Sequence, residues 1–142
     1  MNNGMYTCEK VWVVDDTYID RLIAGRMIER SGFAKEIVCL ESARDAVLHL
    51  KAGEQDPGLL PQLIFLDIKM PQMDGFEFLA VFNDLPDAIR RHCRIAMLTS
   101  SIDERDEQQA MQYERVCAFL HKPLTQDTIA SLGRKISGML PV

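Results

Sequence analysis

Five short apolar runs, each separated from the next by a helical pattern, constrain this chain more than any other feature. Val11-Trp12-Val13-Val14, Glu36 to Leu40, Leu63-Ile64-Phe65-Leu66, Ile95 to Leu98 and Val116 to Leu120 read as strands. Continuous apolarity without alternation, clearest in the first and third, marks strands covered on both faces, as in a parallel sheet. Between the first two, Thr17 is placed to cap a helix in which Ile19, Leu22, Ile23 and Met27 recur at helical spacing until Ser31-Gly32. Ser42 with Asp45 opens a second helix, with Ala43, Ala46, Val47 and Leu50 on one face. A surface connection, Gly53 to Pro61, turns at Asp56-Pro57-Gly58, and a helix beginning near Gly75 carries Phe78, Leu79, Phe82 and Leu85. Ser101-Ile102-Asp103-Glu104 has capping-box spacing for a fourth helix. From Asp103 to Gln109 that helix has no apolar residue, so it buries a thin stripe and can move. Thr125 starts a last helix with Ile129, Leu132, Ile136 and Met139 inward.

Five β-α units imply an α/β fold of flavodoxin-like (βα)5 type. The expectation is a doubly wound, five-stranded parallel sheet in the order 2-1-3-4-5, joined by right-handed crossovers. We expect one domain over residues 1–142, with its core at about residues 9–138. The chain ends soon after the fifth helix, at Met139-Leu140-Pro141-Val142, so no output domain is expected.

A net charge of −5 argues against direct nucleic-acid binding, which needs a basic patch facing several phosphates. The apolar runs are too short to cross a bilayer, and Met1 to Lys10 lacks the basic start and apolar stretch of a secretion signal, so a cytoplasmic protein is expected. Cys8, Cys39, Cys93 and Cys117 are scattered without paired spacing. They read as reduced, with Cys39 and Cys117 as small buried hydrophobes.

The chemistry lies where the strands stop. Asp15-Asp16, Asp67, Thr99 and Lys122 each follow or nearly follow an apolar run, and the carboxyl ends of strands in an open α/β sheet share one edge. Three carboxylates brought together repel one another unless a cation neutralises them. Mg²⁺, which prefers oxygen ligands, suits two carboxylates, a backbone carbonyl and an incoming phosphoryl oxygen. Asp67 then remains a nucleophile for an aspartyl phosphate, with the Lys122 ammonium and the Thr99 hydroxyl placed for phosphoryl oxygens. Taken alone, Asp-Asp is a helix cap, Lys-Pro a turn and a strand-end threonine a backbone cap. Their common placement separates them from that plain interpretation. Met70, Met73 and Met97 read as packing residues, and His49, His92 and His121 as surface or partly covered histidines.

These residues resemble the response-regulator receiver family of two-component signalling. The run Asp67-Ile68-Lys69-Met70-Pro71-Gln72-Met73-Asp74-Gly75 is similar to the family's D-x-x-M-P-x-x-D-G. The resemblance implies that Asp16 is the direct Mg²⁺ ligand, with Asp15 acting mainly through water. It makes Asp67 the phosphoacceptor and a metal ligand, and Lys69 the source of a metal-binding backbone carbonyl. Thr99 resembles the switch hydroxyl, Lys122-Pro123 the active-site lysine with its usually cis proline, and Phe119 the switch aromatic, where tyrosine is also common. Lys69 and Ser101 stand where the family tunes hydrolysis.

The implied partners are a histidine kinase or phosphotransfer protein as donor and a downstream target protein. Phosphorylation would draw Thr99 inward, let Phe119 follow and repack the face of the fourth helix, fifth strand and fifth helix. The resemblance leaves room for a phosphorylation-dependent dimer. The chain would not be an enzyme beyond its own phosphorylation and dephosphorylation. A doubly wound phosphohydrolase is the rival, but Lys69 stands where its second aspartate would be. A pseudo-receiver adaptor is opposed by the intact acidic pair, Asp67, Thr99 and Lys122.

Overall fold

The apolar runs pair side by side in a computed structural model that describes residues 6–139. β1 (Cys8–Val14), β2 (Ala34–Leu40), β3 (Leu63–Leu66), β4 (Arg94–Thr99) and β5 (Val116–His121) form one sheet in the order β2-β1-β3-β4-β5. Every pairing is parallel, and the order reverses between β1 and β3, as the flavodoxin-like expectation requires. β3 is buried along its whole length, which is why its sequence carries no polar residue.

Successive strand residues point to opposite faces, so the sheet feeds two cores. Trp12, Val14, Ile64 and Leu66 pack beneath α2 (Ala43–Ala52) and α3 (Gly75–Asn83). Val11, Val13, Leu63 and Phe65 pack beneath α1 (Tyr18–Ser31) and the last helix. A single helical turn, α4 (Asp87–Arg90), precedes β4; α5 (Glu104–Met111) and α6 (Gln126–Ile136) are the fourth and fifth helices of the sequence pattern. One turn carries no repeat, so α4 left no periodic trace, although buried Ile89 pins it.

Four local expectations change. The apolar stripe of α1 is only partly its buried face: Ile19, Leu22 and Ile23 are exposed, Met27 packs partly buried against the core, and Ala24 and Ile28 face the sheet. The cap of α5 is Asp103, which accepts from the Arg105 N–H, and not Ser101. Met139 lies beyond α6 and is exposed, while Ile129, Leu132 and Ile136 are inward as expected. Cys39 is exposed because β2 is an edge strand; Cys8, Cys93 and Cys117 are buried, and all four are free thiols. Met1 to Met5, where a secretion signal would begin, and the tail from Leu140, on which the expectation of no output domain rests, lie outside the described residues.

The loop after β3 is clamped where α3 begins. Asp74 accepts from the Glu77 N–H while the Glu77 side chain accepts from the Asp74 N–H, a complete capping box. The next N–H, of Gly75, donates to the Ile68 carbonyl at 2.7 Å. A Cβ on Gly75 would stand 2.5 Å from the Asp67 carbonyl oxygen and 2.8 Å from the Ile68 Cα, both backbone atoms that cannot step aside alone. Gly75→Ala should therefore destabilise the fold by about 1–3 kcal/mol, the usual cost of overpacking, read from the urea midpoint by circular dichroism. An unchanged midpoint would mean that the loop yields without cost.

Candidate functional site

Each reactive strand end is held by one hydrogen bond that continues the sheet past its last residue. The Asp15 N–H donates to the Leu40 carbonyl at 3.1 Å, the Asp67 N–H to the Val14 carbonyl at 3.1 Å, and the Lys122 N–H to the Thr99 carbonyl at 2.8 Å. The side chains therefore emerge on one rim, beside the point where strand order reverses.

There the Lys122 ammonium meets three carboxylates. Its Nζ lies 2.7 Å from Asp15 Oδ2, 2.8 Å from Asp20 Oδ2 and 3.4 Å from Asp67 Oδ2. Asp15 and Asp67 are buried; Asp16, the next residue, is exposed. Asp15 is fixed further by the Thr17 N–H, which donates to its Oδ1 at 2.9 Å, and by the Arg21 guanidinium, which donates to its carbonyl at 2.8 Å. The Lys122–Pro123 peptide is cis, as the resemblance implied.

Oxygen atoms of Asp15, Asp16 and Asp67 all lie within 4.8 Å of one another. At about 4 Å and an effective dielectric constant near 20, two like charges repel by about 4 kcal/mol, so one ammonium leaves excess negative charge here. The effect is visible on Asp67, whose carboxyl is raised to about 6. Burial is the main cause and the charge of Asp15 the next, against the lowering influence of Lys122 and of the Ile68 N–H. Burial alone would lower Lys122, but its hydrogen bonds to Asp15 and Asp20, with the charges of Asp67 and Asp15, outweigh it and leave the ammonium firmly protonated. An all-oxygen set with surplus negative charge fits a hard divalent cation. Lys69, two residues beyond Asp67, turns its side chain to solvent.

Thr99 ends β4 on the same rim and is buried. Its Oγ1 accepts from the Ser101 N–H at 3.1 Å, and the Ser101 hydroxyl donates to Asp106 on α5 at 2.6 Å. Thr99 is thus tied to α5, a helix that buries only Ala110. Phe119 on β5 is half-buried, edge-on to His121 with ring centres 5.8 Å apart. It forms part of the floor of a groove of about 430 Å³ between α5 and α6, bordered by Glu107, Met111, Asp127 and Lys135.

The sequence brought Asp15, Asp16, Asp67, Thr99 and Lys122 to this rim, and the structure places them there. Asp20 was missed. An aspartate in the first turn of a helix is ordinarily explained by the helix dipole, and only its distance from Asp15, little more than one helical turn along the chain, hinted at a shared target. Of the histidines, His121 lies beside the site, opposite Thr99 in the sheet, while His49 Nδ1 pairs with the Asp45 carbonyl at 2.7 Å; burial pushes the Cys8 and Cys93 thiols up to about 12.

Comparison with known proteins agrees with this geometry. The family model for the response regulator receiver domain matches residues 11–132. The chain is similar to hybrid signal transduction histidine kinase B of Dictyostelium discoideum, 27% identical over 137 residues, covering 89% of this chain but 6% of that protein. A two component response regulator from Cytophaga hutchinsonii superposes with a TM-score of 0.84 at 26% identity, covering 92% of this chain and 98% of that one. The Mn(2+)-bound form of response regulator Rcp1 superposes with a TM-score of 0.71 at 26% identity, covering 94% and 96%.

The raised Asp67 has a consequence for stability. Its folded value, about 6, lies above the ordinary 3.8, so its ionisation opposes folding. That cost is absent below about pH 4 and complete above about pH 6. Asp67→Asn should therefore be more stable than the wild type at pH 7 by about 1–3 kcal/mol, with the gap opening between pH 4 and 6 and shrinking when Mg²⁺ is added. Thermal unfolding across that range checks it, and a gap independent of pH would count against the assignment.

Proposed function

The chain belongs to the response regulator receiver domain family, and from that premise we propose that it is a phosphorelay switch whose phosphoacceptor is Asp67. The observation that carries this reading is the Lys122 ammonium 3.4 Å from Asp67, beside three carboxylates able to share a metal ion.

A histidine kinase or phosphotransfer protein is the donor. An oxygen of Asp67 forms the new bond to phosphorus as the donor's phosphorus–nitrogen bond breaks, and the electron pair leaves with the histidine nitrogen. Asp16, Asp67 and the Lys69 carbonyl, assisted by Asp15, would hold Mg²⁺, which would supply positive charge to the transferred oxygens; the manganese in Rcp1 supports such a site. Lys122 supplies a second positive charge, and Thr99 a hydroxyl. This small reaction is the only catalysis we assign to residues 1–142, which we take to act as one receiver unit.

The output runs through Thr99. When its hydroxyl turns to the phosphoryl group it leaves the Ser101 N–H, and the bond from Ser101 to Asp106 carries the shift into α5. Phe119 then moves toward the vacated space, altering the groove between α5 and α6 that meets the target protein. Among the described residues no helix is long and apolar enough to cross a membrane, in keeping with an encounter between partners in the cytoplasm.

Incubation with Mg²⁺ and acetyl phosphate should add one phosphoryl group, seen by intact mass spectrometry, and Asp67→Asn or removal of Mg²⁺ should abolish the gain. A wild-type protein that stays unmodified would refute the assignment. Lys122→Ala should still accept phosphate, more slowly, without the change in amide hydrogen exchange over α5 that the wild type shows on phosphorylation. Identical exchange changes in the two proteins would separate Lys122 from the switch.

A further inference from the structure

Lys122 has three carboxylate partners, and they do not share the same fate during phosphoryl transfer. Asp67 becomes the phosphorylated group, and Asp15 belongs to the trio able to share a cation. A divalent ion draws the charge of both away from Lys122. Asp20 is different: it stands outside that trio, on the first turn of α1, and its Oδ2 accepts from Lys122 Nζ at 2.8 Å. Of the three contacts it alone is consumed neither by the metal nor by the phosphoryl group.

A lysine side chain is a flexible stem carrying a point charge, and holding it in one place costs conformational entropy. Its backbone is fixed by the bond to Thr99, but the ammonium lies at the far end of the side chain and is located only by what it touches. The side chain of Asp20 is about one-third exposed, so it can hold the ammonium without a large desolvation penalty. α1 is itself anchored at this end by the Arg21 bond to the Asp15 carbonyl, which fixes Asp20 relative to the site.

We infer that Asp20 is a positioning residue for phosphoryl transfer, holding the Lys122 ammonium at the rim once Asp15 and Asp67 are occupied by the metal and the incoming group. This rests on Asp67 as phosphoacceptor and Lys122 as its charge partner, and adds a member that acts only through Lys122.

The test is a double-mutant cycle on the full chain at saturating Mg²⁺, with acetyl phosphate as donor and the second-order rate constant of phosphorylation as readout. Asp20→Ala should lower that constant roughly tenfold, the low end for a partner one step removed from the reacting group. Asp20→Asn, which keeps the shape and an acceptor oxygen but not the charge, should fall between, and Asp20→Glu should recover part of the rate. In a Lys122→Ala background the same Asp20 changes should alter the rate by less than about twofold, because nothing remains to be positioned. Mg²⁺ affinity, measured by calorimetry, should stay within about threefold of wild type, since Asp20 is not among the ligands.

Equal rate losses with and without Lys122, no loss in the wild-type background, or a loss traced to weaker Mg²⁺ binding would each overturn the inference. The isosteric Asp20→Asn keeps the cycle interpretable should the alanine variant fold poorly. A wild-type chain that takes up no phosphoryl group would remove the phosphoacceptor reading and this inference together. Normal phosphorylation with indifferent Asp20 variants would remove this inference alone.

Discussion

One ammonium bound to three carboxylates, with a fourth close to two of them, is the constraint from which the rest of the structure follows. Asp15, Asp16 and Asp67 crowd within 4.8 Å, Asp20 approaches from α1, and Lys122 is the cation placed between them. Such a cluster is unfavourable by itself, so the surrounding fold must hold it by force of packing. The parallel sheet does this through backbone hydrogen bonds: each of Asp15, Asp67 and Lys122 is the residue at which a strand's ladder ends, its N–H still bonded to a neighbouring strand. Two buried cores, one on each face, keep those strands in register.

The loops are built to serve that rim. After β3 the chain is caught between the Gly75 bond to Ile68 and the Asp74–Glu77 capping box, so Asp67 cannot relax away from its neighbours. After β4 the opposite holds. The chain passes through Ser101, whose backbone and hydroxyl link buried Thr99 to Asp106, and then enters a helix with one buried residue. One side of the site is therefore stiff and the other loosely packed. A displacement at Asp67 would thus meet less resistance toward α5 than toward the clamped loop after β3.

How much of this could be read from the sequence depended on how many neighbours enforced each feature. β3, with all four residues buried, declared itself through unbroken apolarity, and strand-end placement was enough to gather Asp15, Asp67, Thr99 and Lys122. α2, with a single buried stripe of Ala43, Ala46, Val47 and Leu50, was equally plain. α1 was not. It offers two adjacent stripes, one of Ile19, Leu22 and Ile23 and one of Ala24 and Ile28, and periodicity alone does not say which of them faces the sheet. Cys39 misled for a related reason: an apolar run on an edge strand has a partner on one side only. Asp20 escaped because its partner, Lys122, is chosen by three-dimensional approach and not by spacing along the chain.

The misread stripe of α1 bears on the site itself. Tyr18, Ile19 and Leu22 lie exposed in the helical turns that also carry Asp20 and Arg21. Burying them against the sheet would have rotated α1 about its axis and turned Asp20 away from Lys122. The helix instead seats Ala24 and Ile28, accepts apolar exposure on its outer side, and keeps both the Arg21 bond to Asp15 and the Asp20 bond to Lys122. The observed orientation thus joins the seating of Ala24 and Ile28 on the sheet to the two polar contacts at the rim, so the position of α1 is tied to the site as well as to the core.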